Sequence, residues 1–221
     1  MLSPSALTPR GENVWTVDDL IPGINGVNRR MTVIRRSDGT LLFYNAIPLP
    51  EDTLAALRAL GAPGALVVPN QFHALDAAAF AQRLNVPAFM PGVAVEALAS
   101  RLAGRDIAEL PADGLRVFTI DGFKTNEAVL VFGKTLVVAD LVTNVPHGRG
   151  LRALPLRLMG FSGPEPRLPP PVLFRVGVDR ALIRARLEEL AGLGLEMIIP
   201  SHGDVFTGDV ATALQRVANA L

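Results

Sequence analysis

Three short apolar runs in this chain each lead to a polar side chain of a metal-binding type, and that repetition narrows the folds open to it. Leu136-Val137-Val138-Ala139 stops on Asp140. Ala65-Leu66-Val67-Val68 leads through Pro69-Asn70-Gln71-Phe72 to His73, and Ile198-Ile199-Pro200 leads through Ser201 to His202. Short runs of β-branched and aliphatic residues with no polar interruption read as strands buried on both faces. Such strands belong to α/β architectures, which place their sites at the strands' carboxyl ends. An ionised carboxylate beside an apolar core is costly unless it is paired or bound to a cation, so Asp140 calls for partners. The chain has three histidines, and two of them stand at the other strand ends.

The intervening sequence alternates strands with helices, but hairpins come first. Residues 1–13 read as a loose tail. Val14-Trp15-Thr16-Val17 suits a first strand, and Arg30–Arg36 pairs with Leu41–Asn45 across the turn Ser37-Asp38-Gly39-Thr40. Pro50-Glu51-Asp52-Thr53 opens a helix that Gly61 stops. Helices are expected over Ala74–Leu84 and Val93–Leu102, after Asp179, and from Asp209 to the end. Further strands are expected at 86–90, 115–120, 127–132, 135–139 and 195–199, with Gly133-Lys134 turning a second hairpin. The expectation is a mixed α/β domain over residues 14–221 with two sheets between helices. A proline- and arginine-rich excursion at 146–177 interrupts it, as a surface connection, a lid or a dimer contact.

Composition excludes several functions. The 21 basic and 21 acidic residues cancel, which argues against a nucleic-acid binder with a basic footprint. With no cysteine, there is no disulfide framework, thiolate metal site or cysteine nucleophile. Residues 1–12 lack the apolar run of a signal peptide, and no stretch approaches a membrane span. The expectation is a cytoplasmic protein without a membrane span or membrane partner, acting on a small molecule and able to form a homodimer.

Taken singly, each strand-end residue has an ordinary explanation as a hydrogen-bonded loop histidine or a capping aspartate. Together, two imidazoles and a carboxylate form a ligand set for zinc or non-haem iron. Asp76, three residues beyond His73, is a candidate fourth ligand or water-orienting group if both lie on a helix; the ordinary alternative is an acid at a helix N-terminus. His147 follows Asp140 on a loop and is a candidate for the same mouth. Lys124, Asn126 and Arg149 are candidate anion contacts, whereas Asn144 and Asp204 suit loop ordering.

The order of these parts resembles the metallo-β-lactamase-like hydrolase superfamily over roughly residues 14–221. Leu-Val-Val-Pro-Asn-Gln-Phe-His73 stands where that family has His-x-His-x-Asp-His, and Ile120-Asp121-Gly122-Phe123-Lys124-Thr125 where it has a Gly-His-Thr turn. Val-Val-Ala-Asp140 matches the bridging aspartate, and Pro-Ser-His202-Gly203 the final Gly-His-Gly. The resemblance implies a four-layer αβ/βα sandwich. It also implies a reduced site, because Asn70, Phe72 and Phe123 occupy ligand positions and Asn45 replaces the aspartate of the family's Asp-Thr-Gly. His73, Asp140 and His202 would remain to hold one zinc or iron ion, with Asp76 and His147 as candidate catalytic residues. The implied function is a metal-dependent hydrolase acting on an ester, amide or phosphoester. The alternative is a non-catalytic binding or regulatory module without metal, its cleft filled by phenylalanines.

Overall fold

Hairpin chemistry starts the fold. In the computed structural model, which describes residues 6–22, 27–146, 157, 158, 160–176 and 179–221, strand β1 (Thr8–Gly11) turns at Asn13, φ 59°, into β2 (Val14–Leu20). β2 pairs antiparallel with β3 (Asn28–Arg35), and β3 with β4 (Thr40–Tyr44). The expected loose tail is therefore corrected in part. Thr8–Gly11 is an edge strand, because the backbone from Thr8 to Gly11 finds a ladder partner in Val14–Thr16.

The chain divides into two compact units, Met1–Val117 and Phe118–Leu221. In the first, helix α1 (Glu51–Leu60) leads to β5 (Ala62–Val67), α2 (Ala77–Leu84) to β6 (Ala88–Met90), and α3 (Gly92–Leu98) to β7 (Gly104–Asp106). These crossovers make β4, β5, β6 and β7 successive parallel neighbours, completing a seven-stranded sheet in sequence order. Both helix ends follow from local chemistry. α1 stops at Gly61, and α2 stops at Asn85, which takes the left-handed conformation and bonds back to Ala81 and Gln82. Phe43 on the sheet meets Phe80 on α2 edge to face at 5.1 Å, inside a core that includes Met31, Leu41, Leu57 and Leu66. Each such side chain contributes about 1.5–3 kcal/mol relative to exposure.

A four-stranded sheet of order β11-β10-β9-β8 follows, from β8 (Leu115–Thr119), in which the second unit begins, β9 (Ala128–Phe132), β10 (Thr135–Val138) and β11 (Met197–Pro200). β9 and β10 form the expected hairpin, and β11 joins β10 in parallel. Alternate residues Val129, Val131, Leu136 and Val138 pack with Ile183, Leu187 and Leu190 of α5 (Arg180–Ala191). Val210, Leu214 and Val217 of α6 (Val210–Asn219) join the same core. The period of two on the strands and of three to four on the helices makes a single apolar layer. Asp179 and Asp209 cap the two helices by accepting N–H groups of their first turns.

Some expected boundaries move. The excursion at 146–177 contains helix α4 (Pro170–Val176), with proline at its first position, where the missing N–H costs nothing. The helix expected from Ala74 begins at Ala77, after a separate 3₁₀ turn at Gln71–His73, and α3 ends at Leu98. No helix among the described residues is long and apolar enough to cross a membrane.

Candidate metal centre

Parallel pairing brings strand carboxyl ends side by side. In the first unit Tyr44 of β4 pairs with Val67 of β5, and the Asn45 N–H donates to the Val67 carbonyl at 3.0 Å. Asn45 is buried and left-handed at φ 63°, a conformation asparagine tolerates. Its Nδ2 donates to the Arg30 carbonyl at 2.8 Å, which orients the amide so that Oδ1 faces His73 Nδ1 at 3.0 Å. An amide oxygen can only accept, so Nδ1 carries the proton and the lone pair of the neutral ring sits on Nε2. Metal-ligating histidines are held in this way, by a hydrogen bond through the other nitrogen.

Asn70 sits at a position where the superfamily resemblance expects a histidine. It is buried and turned back on its own backbone, accepting the Phe72 N–H at 2.9 Å to cap the 3₁₀ turn. That turn decides the fate of Asp76. His73 closes the 3₁₀ turn and Asp76 precedes α2, so the two do not share a helical face. The Asp76 carboxylate is paired instead with Arg29 Nη1 at 2.5 Å, and Arg29 also binds Asp19 at 2.7 Å.

In the second unit the same device acts on β10 and β11. Val138 pairs with Pro200, and the Ser201 N–H donates to the Val138 carbonyl at 2.8 Å. Asp140 and His202 each stand two residues past their strand end, and Asp140 Oδ1 lies 3.9 Å from His202 Nε2. Both side chains are largely buried. The separation is too long for a hydrogen bond between them. It is close to the spacing of two ligands on one ion, since tetrahedral bonds of 2.0–2.1 Å set ligand atoms about 3.3 Å apart.

Backbone contacts hold this pair. The Asn144 N–H donates to the His202 carbonyl at 3.2 Å, and the Asp204 N–H to the Asn144 carbonyl at 2.7 Å. Asn144 Nδ2 adds a bond to the Asp204 carbonyl at 3.0 Å. Gly203, at φ 88°, lets these strands approach: a Cβ there would stand 2.1 Å from the Asn144 carbonyl oxygen. On the other side, the buried Glu127 carboxylate accepts the N–H groups of Ala139 at 2.8 Å and of Asp140 and Leu141 at 2.9 Å each.

The remaining expectations divide. Asn144 and Asp204 do order the loops. Lys124 is exposed, and Asn126 reaches Asp121 at 3.4 Å. Phe123 is buried in the second unit's core, while Phe72 is 49% exposed, so Phe72 fills no cavity. His147 and Arg149 lie outside the described residues. Sequence reasoning missed Glu127 and the bond from Asn45 to His73. The available signal for Glu127 was an acid placed directly before the all-apolar strand Ala128–Phe132.

No protein-family model matches the sequence, and no curated protein does so either. Solved structures do. The DIM-1 metallo-β-lactamase aligns over 99% of this chain and 98% of its own, with a TM-score of 0.68 at 12% identity. A metallo-β-lactamase from Pontibacter korlensis aligns over 99% and 100%, with 0.67 at 14%. FIM-1 from Pseudomonas aeruginosa, described in a mono-zinc form, aligns over 99% and 96%, with 0.67 at 10%. The chain has the metallo-β-lactamase fold. In this metallo-β-lactamase fold the mixed α/β elements and two mixed sheets agree with the sequence expectation. The donor types on the strand ends, imidazole nitrogen and carboxylate oxygen, are those that zinc and iron accept.

Proposed function

We propose that this protein is a metal-dependent hydrolase with a one-ion site, in which His73, Asp140 and His202 each give one ligand atom to zinc or iron. The observation that carries the reading is the pair Asp140 and His202, whose Oδ1 and Nε2 atoms stand 3.9 Å apart at adjoining strand ends. Two further observations support it. The Asn45 contact leaves the His73 lone pair on Nε2, and the fold likeness spans 99% of the chain. Asn70 is committed to capping and Phe123 to the core, which favours one ion over two. The mono-zinc form of FIM-1 is a precedent for one ion in this fold.

A bound metal of this kind lowers the pKa of a water molecule and makes it a nucleophile near neutral pH. The chain's own residues orient the ligands: Asn45 holds the His73 ring, and the loops after β10 and β11 hold Asp140 and His202. The substrate class is a small ester, amide or phosphoester. Asp76, bound by Arg29, and His147 are proposed roles that single substitutions would test, through loss of turnover with metal content unchanged.

Metal analysis of protein purified without chelator tests the reading. About one equivalent of zinc or iron is expected; less than about a tenth, unchanged after soaking with either metal, would overturn it. The burial of Phe123 at a ligand position favours the second reading, a metal-free binding module. That reading expects a melting temperature indifferent both to zinc and to His202→Ala.

A further inference from the structure

Among the described residues, the proposed ligands leave one buried ionisable side chain of the second unit without a role. Glu127 is 1% exposed, and both of its carboxylate oxygens accept backbone N–H groups. We infer that Glu127 is a positioning residue: by gripping the backbone of Ala139, Asp140 and Leu141, it fixes where the Asp140 carboxylate stands and sets how tightly the site holds a metal ion. This inference rests on the one-ion reading.

The geometry follows from the hairpin. β9 and β10 pair in the register Phe132–Thr135, Val131–Leu136 and Leu130–Val137. Extended by three more pairs, that register sets Glu127 opposite Asp140. The paired register ends at Leu130–Val137, and the Glu127 carbonyl accepts the Ile120 N–H at 2.8 Å. The side chain replaces the missing ladder partner. Three successive N–H groups then converge on one anion, as in a backbone nest. Only a carboxylate presents acceptors alone on both atoms. A glutamine here would turn an NH₂ group toward one of these donors, and an aspartate would fall short by one methylene. Because the gripped amide belongs to the ligand residue itself, a shift of this turn moves the Asp140 Cα and with it the ligand oxygen. Groups that orient metal ligands in this way are worth about 10–100-fold in metal affinity.

The test is cobalt(II) titration of the metal-free full-length protein, followed by visible absorption, for the parent, Glu127→Gln and Glu127→Asp. The parent should bind about one equivalent. Both variants should bind about 10–100-fold more weakly, with a changed visible band that reports altered ligand geometry. A folded variant of either kind that keeps the parent's affinity and spectrum overturns the role of Glu127 while leaving the one-ion reading intact. A parent that binds neither cobalt(II) nor zinc overturns that reading and the inference with it. Amide hydrogen exchange in the metal-free parent keeps the test open should both variants fail to fold. Slow exchange at Ala139, Asp140 and Leu141 is expected, and exchange as fast as in exposed loops would refute the grip.

Discussion

The two units use the same device and secure it differently. In each, a pair of parallel strands delivers polar residues to adjoining carboxyl ends: Asn45 and the His73 turn after β4 and β5, Asp140 and His202 after β10 and β11. In the first unit the histidine ring is held by a side chain, through the contact from Asn45. In the second the pair is fixed by backbone, through three N–H groups on Glu127 and the close approach at Gly203. A side-chain tether can be lost while the strands stay paired. A backbone grip cannot be altered without moving the loop that bears Asp140.

The sharpest way to break this contrast is Gly203→Ala. The new Cβ would collide with backbone, and φ 88° is unfavourable for alanine, so a loss on the order of 4 kcal/mol or failure to fold is expected in denaturant titration. Gly133→Ala, also at positive φ but with nothing within 4 Å, should cost only about 1 kcal/mol. Phe123→Ala comes next, at about 3–4 kcal/mol, because its ring is part of the second unit's core. Phe72→Ala in the first unit should change stability by less than about 0.5 kcal/mol; a large loss there would revive the phenylalanine-filled cleft.

Asn45→Asp probes the side-chain tether. A carboxylate would face the Arg30 carbonyl that Nδ2 now serves, costing about 2 kcal/mol at neutral pH. Protonation restores a donor, so the deficit should shrink as pH falls, and unfolding curves at several pH values would reveal it. If metal affinity falls more than stability does, the tether acts mainly on the ring. The smallest effect belongs to Asp209, whose carboxyl is held below the usual range by the Thr212 N–H and hydroxyl. A group with a lowered folded pKa stabilises above its ordinary pKa, and that contribution fades as pH falls through the lowered one. Asp209→Ala should therefore lower the melting temperature slightly at neutral pH and by less in strong acid.

Much of this was legible because it is local. The apolar runs before Asp140 and His202, the Gly133-Lys134 hairpin and the helices that begin after Asp179 and at Asp209 depend on neighbours in sequence, and each is where the pattern sets it to within a residue or two. His73 and Asp76 were misjudged as a helical pair because Asn70 captures the Phe72 N–H and starts a 3₁₀ turn first. The strand at Thr8–Gly11 was missed because its partner, not its composition, makes it a strand. Asn45 looked like a lost aspartate, although its amide is the group that can donate to Arg30 and accept from His73 at once.

The sequence by itself determined which residue types stand at the strand ends, and hence that any site would be built from imidazole and carboxylate. Periodicity and burial are written residue by residue, so they survive without knowledge of the fold. Only the tertiary structure decided that Asp140 and His202 stand side by side, that Asn45 selects the His73 tautomer, and that Glu127 grips the turn at Asp140. Those outcomes depend on strand register and on backbone N–H groups that every residue carries alike, so no side-chain pattern announces them.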